Sequence, residues 1–370
     1  MNSGHLPDNP VDKLIESNPF SHWIERGNLD LRRAFVSNIA VADSIEDLKK
    51  TGIECVSDAT WIKVRVRSVI EESNTVRSYV LESADRALLP TSGPGDHVKL
   101  RLPSGLVRQY SLCSNSSGAA YTIGVARAAE SRGGSRWIHE SLNVGDCIEC
   151  SPPSNSFPVA RNTSLHVMVA GGIGITPFLS MIEHFQNINV PFRLYYLARN
   201  RASAAFVKTI EASCGNQAVL YFSDDNQNRL FDVEAEIAAL PEGAHVYCCG
   251  PAPLMQAVRE AKSALSETHF HFEAFVSPAG ASDESPFVVN LSVSKLRIAV
   301  APGQTILSAL RQNNVYVPSS CETGTCGTCV VPYSNGVVQH NDMCLTAQSR
   351  QTYMAICVSR ASSDSITIAL

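Results

Sequence analysis

Four cysteines near the C-terminus carry the most distinctive chemistry in this sequence. Cys321, Cys326 and Cys329 are spaced C-x4-C-x2-C within CETGTCGTC, and Cys357 follows 28 positions later. Thiolates at this spacing suit a plant-type [2Fe–2S] cluster, in which each iron takes two of them. Gly324 and Gly327 permit the tight loop that brings backbone N–H groups toward the sulfides. The alternative is a structural zinc site, whose ligands usually come as two C-x2-C pairs or as mixed Cys/His sets, and no second C-x2-C follows downstream. Cys344 lies in HNDMCLT, a polar stretch that reads as a loop entering a helix. Cys357 lies in MAICVS, an apolar stretch that reads as buried strand, so Cys357 is the expected fourth ligand.

A one-electron carrier needs a source of electrons, and three further segments have the residues for one. Gly171-Gly172-Ile173-Gly174-Ile175-Thr176-Pro177 follows the apolar run LHVMVA and leads into a helical pattern. Glycines there allow close approach, and a helix N-terminus offers unpaired N–H groups to a phosphate. Cys249-Gly250-Pro251 ends a later strand; in a doubly wound sheet ligands sit beyond the strand C-termini, so both turns face one crevice. Tight packing is the plain alternative use of the same glycines. On a third segment, Arg108, Tyr110 and Ser111 offer a phosphate fork, a ring to stack and a hydroxyl to hydrogen-bond. Arg132, Gly134 and Ser135 form a further glycine-flanked anion site leading into a helix at 136–141.

The elements that must position these groups change in character along the chain. Residues 1–57 show little sustained periodicity beyond a helical possibility at 43–50, although Phe20, Trp23, Phe35 and Ile39 are too apolar for a solvated tail. From Trp61 the pattern has period two, with turn signals at Pro94-Gly95 and Pro103-Ser-Gly105, which predicts an antiparallel barrel over 58–158. Residues 159–275 alternate strands (165–170, 192–197, 218–222, 245–248) with helices (178–186, 202–212, 253–265), which predicts a parallel α/β sheet. A Pro/Gly/Ser linker occupies 276–286. The remainder, 287–370, reads as a hairpin, a helix at 305–313, the cysteine loop and short final strands, the pattern of a β-grasp ferredoxin module.

The whole chain sets limits on the rest. Its 370 residues suit two or three domains, and 44% hydrophobic with 18% charged residues is the balance of a globular protein. A net charge of −5 gives no reason to expect nucleic acid. No apolar run approaches the ~20 residues that span a bilayer, so no membrane is expected as a partner. The opening MNSGHLPDNPVDKLIE has neither a basic nor an apolar signal region. Twelve cysteines without a small disulfide-rich module read as four ligands and the reduced thiols of a cytoplasmic protein.

The order of barrel, glycine-rich α/β domain and cysteine module now bears on identity. With the motifs RQYSLC, RGGS, AGGIGITP and CGP, it resembles the phthalate dioxygenase reductase family, which includes the vanillate O-demethylase reductases, over about residues 60–370. The resemblance implies a ferredoxin-reductase-like barrel holding FMN, an NADH-binding α/β domain and a [2Fe–2S] ferredoxin domain. It assigns Arg108, Tyr110 and Ser111 to the flavin, and Gly134 and Ser135 to its phosphate. Gly171, Gly172, Gly174, Thr176 and Pro177 fall to the pyridine nucleotide, and Cys249, Gly250 and Pro251 to the nicotinamide side. Glu273 and Phe275 fall beside the flavin, which makes Ser111, Cys249, Glu273 and Phe275 the catalytic set. The implied acceptor is the Rieske centre of a terminal oxygenase. An FAD enzyme of the same domain order and a non-enzymatic carrier are the alternatives.

Two points bear on partners. Ala198-Arg199-Asn200-Arg201 has no acid to bind ribose hydroxyls, and Arg199 could accept a 2′-phosphate, so NADPH stays open beside NADH. In the last domain Lys295, Arg297, Arg311, Arg350 and Arg360 outnumber Glu322, Asp342 and Asp364, which suggests docking to an acidic oxygenase patch through Lys295 and Arg360.

Overall fold

The computed structural model describes residues 61–128, 133–161, 163–261, 263–275 and 285–370. The expected N-terminal extension, Arg132 and most of the expected linker lie outside the described residues. The described residues form one compact unit containing three principal sheets.

The first sheet is antiparallel. Its strands are β1 (Ile62–Glu71), β2 (Val76–Ser83), β3 (Asp96–Arg101), β4 (Val107–Ser111), β5 (Tyr121–Ala126) and β6 (Cys147–Cys150), in the order β4-β3-β6-β1-β2-β5, with short β7 (Ser154–Asn155) beside β3. A bridge between Leu112 and Ile123 closes β4 onto β5 and makes the sheet a barrel. Alternation fills its interior: Val64 and Val66, Tyr79 and Leu81, Val98 and Leu100, and Ile123 and Val125 are all buried. The helix Gly134–Ser141 plugs one end through Ile138, whose carbonyl accepts from the Tyr79 hydroxyl at 3.1 Å.

The second sheet is parallel: β8 (Leu165–Gly171), β9 (Phe192–Ala198), β10 (Ala218–Phe222), β11 (Ala244–Cys249) and β12 (Phe270–Glu273), in the order β10-β9-β8-β11-β12. The order reverses between β8 and β11, which places the two glycine turns side by side. Two expected helices shift. The segment expected at 202–212 becomes helical only over Val207–Cys214, because Asn200 caps a turn by accepting from the Ser203 and Ala204 amides, and Phe206 takes a left-handed φ of 58°. The helix expected at 253–265 spans Ala252–Glu260 and ends where Ala261 becomes extended. Strand β12 was not anticipated; four residues, one a histidine, give too short an alternation to read.

The third sheet orders β13 (Phe287–Leu291), β14 (Arg297–Val300), β15 (Val330–Ser334), β17 (Tyr353–Ala355) and β19 (Ser365–Ile368) as β14-β13-β19-β15-β17, with β16 (Val338–Gln339) and β18 (Arg360–Ala361) as a separate pair. The helix Ile306–Gln312 starts at Thr305, whose hydroxyl accepts from the Ser308 amide at 3.1 Å, and its Ile306, Leu307 and Leu310 fill the core under the sheet. Among the described residues no helix is long and apolar enough to cross a membrane.

Candidate functional site

The two glycine turns at the switch point touch backbone to backbone. A Cβ on Gly174 would stand 2.1 Å from the Cys249 carbonyl oxygen, and one on Gly171 would stand 2.6 Å from Pro251 Cδ. One on Gly250 would be 3.0 Å from Gly171 Cα. These three glycines are therefore spent on packing. Gly172 differs: nothing lies within 4 Å of its Cβ position, and its φ is +56°. It opens a short 3-10 turn, Gly172–Ile175, that feeds the helix Thr176–Asn187 with Pro177 in its first turn. Thr176 is buried and donates to the Ile173 carbonyl at 3.1 Å. A backbone that bends at an open glycine into a helix N-terminus has the donors for a phosphate.

The barrel contributes a second anion cradle. Gly133 holds a left-handed φ of 89° ahead of the helix Gly134–Ser141. The Arg108 side chain lies over Gly134 so closely that a Cβ there would meet its Nε at 2.6 Å. Arg108 donates to the Val107 carbonyl, and Ser135 Oγ accepts from the Ala128 amide. Arg108 thus comes together with the adjacent pair Gly134 and Ser135, more than 20 positions later in sequence. Tyr110, next on the strand, packs on the barrel core, and burial raises its hydroxyl pKa.

From Tyr110 the strand leads to a polar junction. Ser111 Oγ donates to Glu273 Oε2 at 3.3 Å, joining barrel to parallel sheet. Glu273 sits opposite Cys249 in the β11–β12 register, and both are buried. Burial pushes the Glu273 carboxyl up to about 8, against the Ser111 hydrogen bond, and the nearby Cys321 sulfur pushes the same way. Among the described residues its Oε1 has no hydrogen-bond partner. Burial and then Glu273 raise the Cys249 thiol. Phe275, two residues on, is 43% exposed and is not buried in this group. The orphan carboxyl oxygen and the Arg108–Gly134 cradle fit an aromatic cofactor with a phosphate tail, the form of FMN.

The four thiols form two pairs. Cys321 interacts with Cys326, and Cys329 with Cys357. The neighbouring Cys326 holds the Cys321 thiol well below the usual thiol range, and the Thr323 amide and Thr325 hydroxyl, which donate to its sulfur, add to this. The Cys329 contact, with burial, raises Cys357. Two pairs are the donor set of a two-iron cluster, and among the described residues no three Cys, His, Asp or Glu side chains surround a single-ion position. Gly324, at φ 78°, is pressed against Val358, whereas Gly327, at φ 77°, is open. Cys357 is buried as expected but lies in the turn after β17, not within a strand. Cys344 stands near Cys329 and Cys321 without pairing. A further C-x2-C, Cys147 and Cys150 on β6, has one thiol exposed and one buried, which separates them across the sheet.

Other residues depart from the sequence reading. Arg199 does not stand free: its Nε lies 3.6 Å from Asp224 Oδ1, and Asn200 donates to Asp224 Oδ2 at 2.9 Å. The turn after β10 thus supplies an acid that the segment after β9 lacks; only the sheet order could have located it. The expected basic docking face also shrinks. Arg360 donates to the Gln304 and Ser285 carbonyls and lies over the Phe287 ring, Arg311 pairs with Glu322, and Arg350 pairs with Asp342. Lys295 donates to the Ser292 carbonyl in an exposed hairpin turn.

Comparison with known proteins agrees with this geometry. Residues 289–362 match the 2Fe-2S iron-sulfur cluster binding domain, and residues 168–260 match the oxidoreductase NAD-binding domain. The chain is similar to the phenoxybenzoate dioxygenase subunit beta of Ectopseudomonas oleovorans, with 39% identity over 84% of this chain and 97% of that one. It is also similar to the heme-dependent oxidative N-demethylase beta subunit of Ectopseudomonas mendocina, with 37% identity over 84% of this chain and all of that one. Among solved structures it resembles phthalate dioxygenase reductase, described as a modular structure for electron transfer from pyridine nucleotides to [2Fe–2S]. The TM-score is 0.63, with 33% identity over 84% of this chain and 98% of that one.

Proposed function

The chain belongs to the phthalate dioxygenase reductase family, and on that premise we propose that it is the reductase component of a multicomponent oxygenase or demethylase, taking electrons from NADH and delivering them to a separate terminal oxygenase. The proposal assigns FMN to residues 58–158, the nucleotide to 159–275 and the [2Fe–2S] cluster to 287–370, joined through 276–286. When bound, FMN supplies the exchange between a two-electron donor and single-electron delivery, and the cluster supplies the one-electron carrier.

The residues do the holding and orienting. Arg108, Gly134 and Ser135, with Arg132, would take the flavin phosphate, and Tyr110 would lie against its ring. Ser111 and Glu273 would face the ring's polar edge. Glu273 can hold a proton at Oε1, because Oε2 already accepts from Ser111. Gly172, Thr176 and Pro177 would take the nucleotide diphosphate. The packed turn of Gly171, Gly174, Cys249, Gly250 and Pro251 would set the floor of the nicotinamide pocket, with Phe275 at its rim. Arg199, tied to Asp224, would meet the adenosine ribose and favour NADH. Cys321, Cys326, Cys329 and Cys357 would ligate the irons.

The observation that carries this reading is the junction at Glu273, where a barrel hydroxyl, a parallel-sheet thiol and the first cluster thiol all bear on one buried carboxyl. A visible spectrum of the purified protein before and after anaerobic NADH tests it. Flavin bands over a broad iron–sulfur envelope, both bleached, are expected; a colourless protein, or colour indifferent to both NADH and NADPH, would defeat the reading.

The terminal oxygenase we infer is of the Rieske type, the acceptor that the resemblance to the phthalate and vanillate reductases implies. A second reading, a heme-dependent partner, is favoured by the N-demethylase relative at nearly equal identity. Reconstitution with oxygenases of each kind separates the two. The free thiols of the described residues suit a reducing compartment, the cytoplasm.

A further inference from the structure

The helix Ala252–Glu260 begins at Pro251, the last residue of the second glycine turn, and carries Arg259 at its other end. Arg259 Nη1 donates to the Asp342 carbonyl at 2.7 Å and contacts Met343 Sδ at 3.4 Å, while Nη2 donates to the Leu345 carbonyl at 3.0 Å. These acceptors lie on the loop between β16 and β17, in the cluster-bearing domain. Met343 packs into the apolar cluster of the parallel-sheet domain that contains Met255 and Val258. Glu267 Oε2 accepts from the Ala347 amide at 3.0 Å on the rim. The loop is itself stiff: the buried Asp342 carboxylate pairs with Arg350, lies against His340 and accepts from the Leu345 amide. Its Met343 amide then donates to the Gly324 carbonyl at 2.8 Å, between the first two cluster cysteines.

A charged fork on two carbonyls, an apolar plug and a rim hydrogen bond make a specific joint where domains of one chain otherwise tend to move. We propose that Arg259 is a positioning residue: through the 342–345 loop it fixes the Cys321–Cys326 loop against the parallel-sheet domain, so that electron delivery into the thiol loop depends on it while nucleotide oxidation does not. The inference rests on the reductase reading above. Each NADH oxidised to NAD+ releases two electrons and one proton, and each cluster accepts one electron. Among the described residues Arg259 touches no expected cofactor site, and it changes none of these quantities.

The test is anaerobic stopped-flow of the full chain loaded with FMN and cluster, following flavin and cluster bands separately after NADH. Arg259→Met is expected to leave flavin bleaching within about twofold of the parent and to slow cluster bleaching at least tenfold. Hydrogen exchange at 342–347 should rise by a similar factor. Arg259→Lys keeps the charge and stem but cannot span both carbonyls; it should slow cluster bleaching three- to tenfold, and it serves alone where the methionine variant does not load. Unchanged cluster bleaching in the lysine variant, or flavin and cluster bleaching falling together in either, overturns the proposal. No bleaching in the parent protein would instead overturn the reductase reading.

Discussion

Ser111 and Glu273 lie 162 positions apart and meet through a single hydrogen bond of 3.3 Å, the hydroxyl donating to the carboxyl inside a buried junction. Neither would be placed there for stability alone. A carboxyl raised to about 8 by burial costs the fold whatever its charged form would have gained in water.

That cost gives a pH signature. The folded pKa lies above the ordinary 4.5, so between about 4.5 and about 8 the folded state keeps a proton that the unfolded state has released. Stability contributed by the protonated form is complete below that window and is lost as pH rises through it. Glu273→Gln should remove the loss, on the order of 5 kcal/mol at the alkaline end. Melting temperatures of parent and variant across pH 4 to 9 check this; parallel curves would refute it.

The glycines at the switch point should not be equivalent. Gly174→Ala drives a methyl into the Cys249 carbonyl and should cost about 3 kcal/mol or more, with loss of nucleotide binding. Gly172→Ala meets open space and only the left-handed penalty, about 1–2 kcal/mol. Thermal unfolding and the KM for NADH measure both.

Removing the acid beside Arg199 should change cofactor choice more than stability. The Arg199–Asp224 pair is largely exposed, so Asp224→Ser should move unfolding by under about 0.5 kcal/mol. It frees Arg199 for a 2′-phosphate, and kcat/KM for NADPH relative to NADH should rise about tenfold, a change of about 1.4 kcal/mol. An unaltered ratio would mean the pair does not meet the ribose.

Among the downstream cysteines only one should matter for the cluster. Cys357→Ser breaks the second thiol pair and should leave iron and sulfide well below two per chain, whereas Cys344→Ser should retain both. Stripping the cluster by chelation should melt the 287–370 sheet first, since Cys329 and Cys357 lie in its core. Metal analysis and domain-resolved hydrogen exchange read the outcome.

Charge reversal on the ferredoxin surface should separate structure from docking. Arg360→Glu loses three carbonyl hydrogen bonds and a ring contact and should destabilise the domain by about 2 kcal/mol or more. Lys295→Glu, in an exposed turn, should leave stability unchanged and slow oxygenase-coupled turnover while sparing ferricyanide reduction. Equal loss of both activities in Lys295→Glu would remove Lys295 from the docking face.

What could be read from the sequence was what is local. The first three cysteines and the RQYSLC, AGGIGITP and CGP runs each lie within a short unbroken stretch, and their residue types suggest their chemistry. Strand and helix alternation gave the parallel sheet because its core is a run of valines, leucines and tyrosines. The start of the helix at Val207 was hidden by Asn200, whose side chain rewrites the turn ahead of it. Asp224 and Arg259 were hidden for a different reason. Each acts across a gap that only the tertiary path closes, one through strand order and the other through a contact 83 positions away. Arg360 looked like surface charge because composition does not reveal that a guanidinium is occupied by carbonyls.

The pairing of thiols also sets an order of manufacture. Cys321 and Cys326 belong to one short loop, so the first half of the ligand set exists once that stretch leaves the ribosome. Cys329 has no partner until 28 more residues are made and β17 has paired with β15 to carry Cys357 into place. The complete nest is thus finished only after the segment carrying β17 and Cys357 has been made. A chain stalled or truncated before Cys357 would hold three of the four thiols, so completion of the nest must wait for β17 and the turn after it, which makes that segment a checkpoint for maturation.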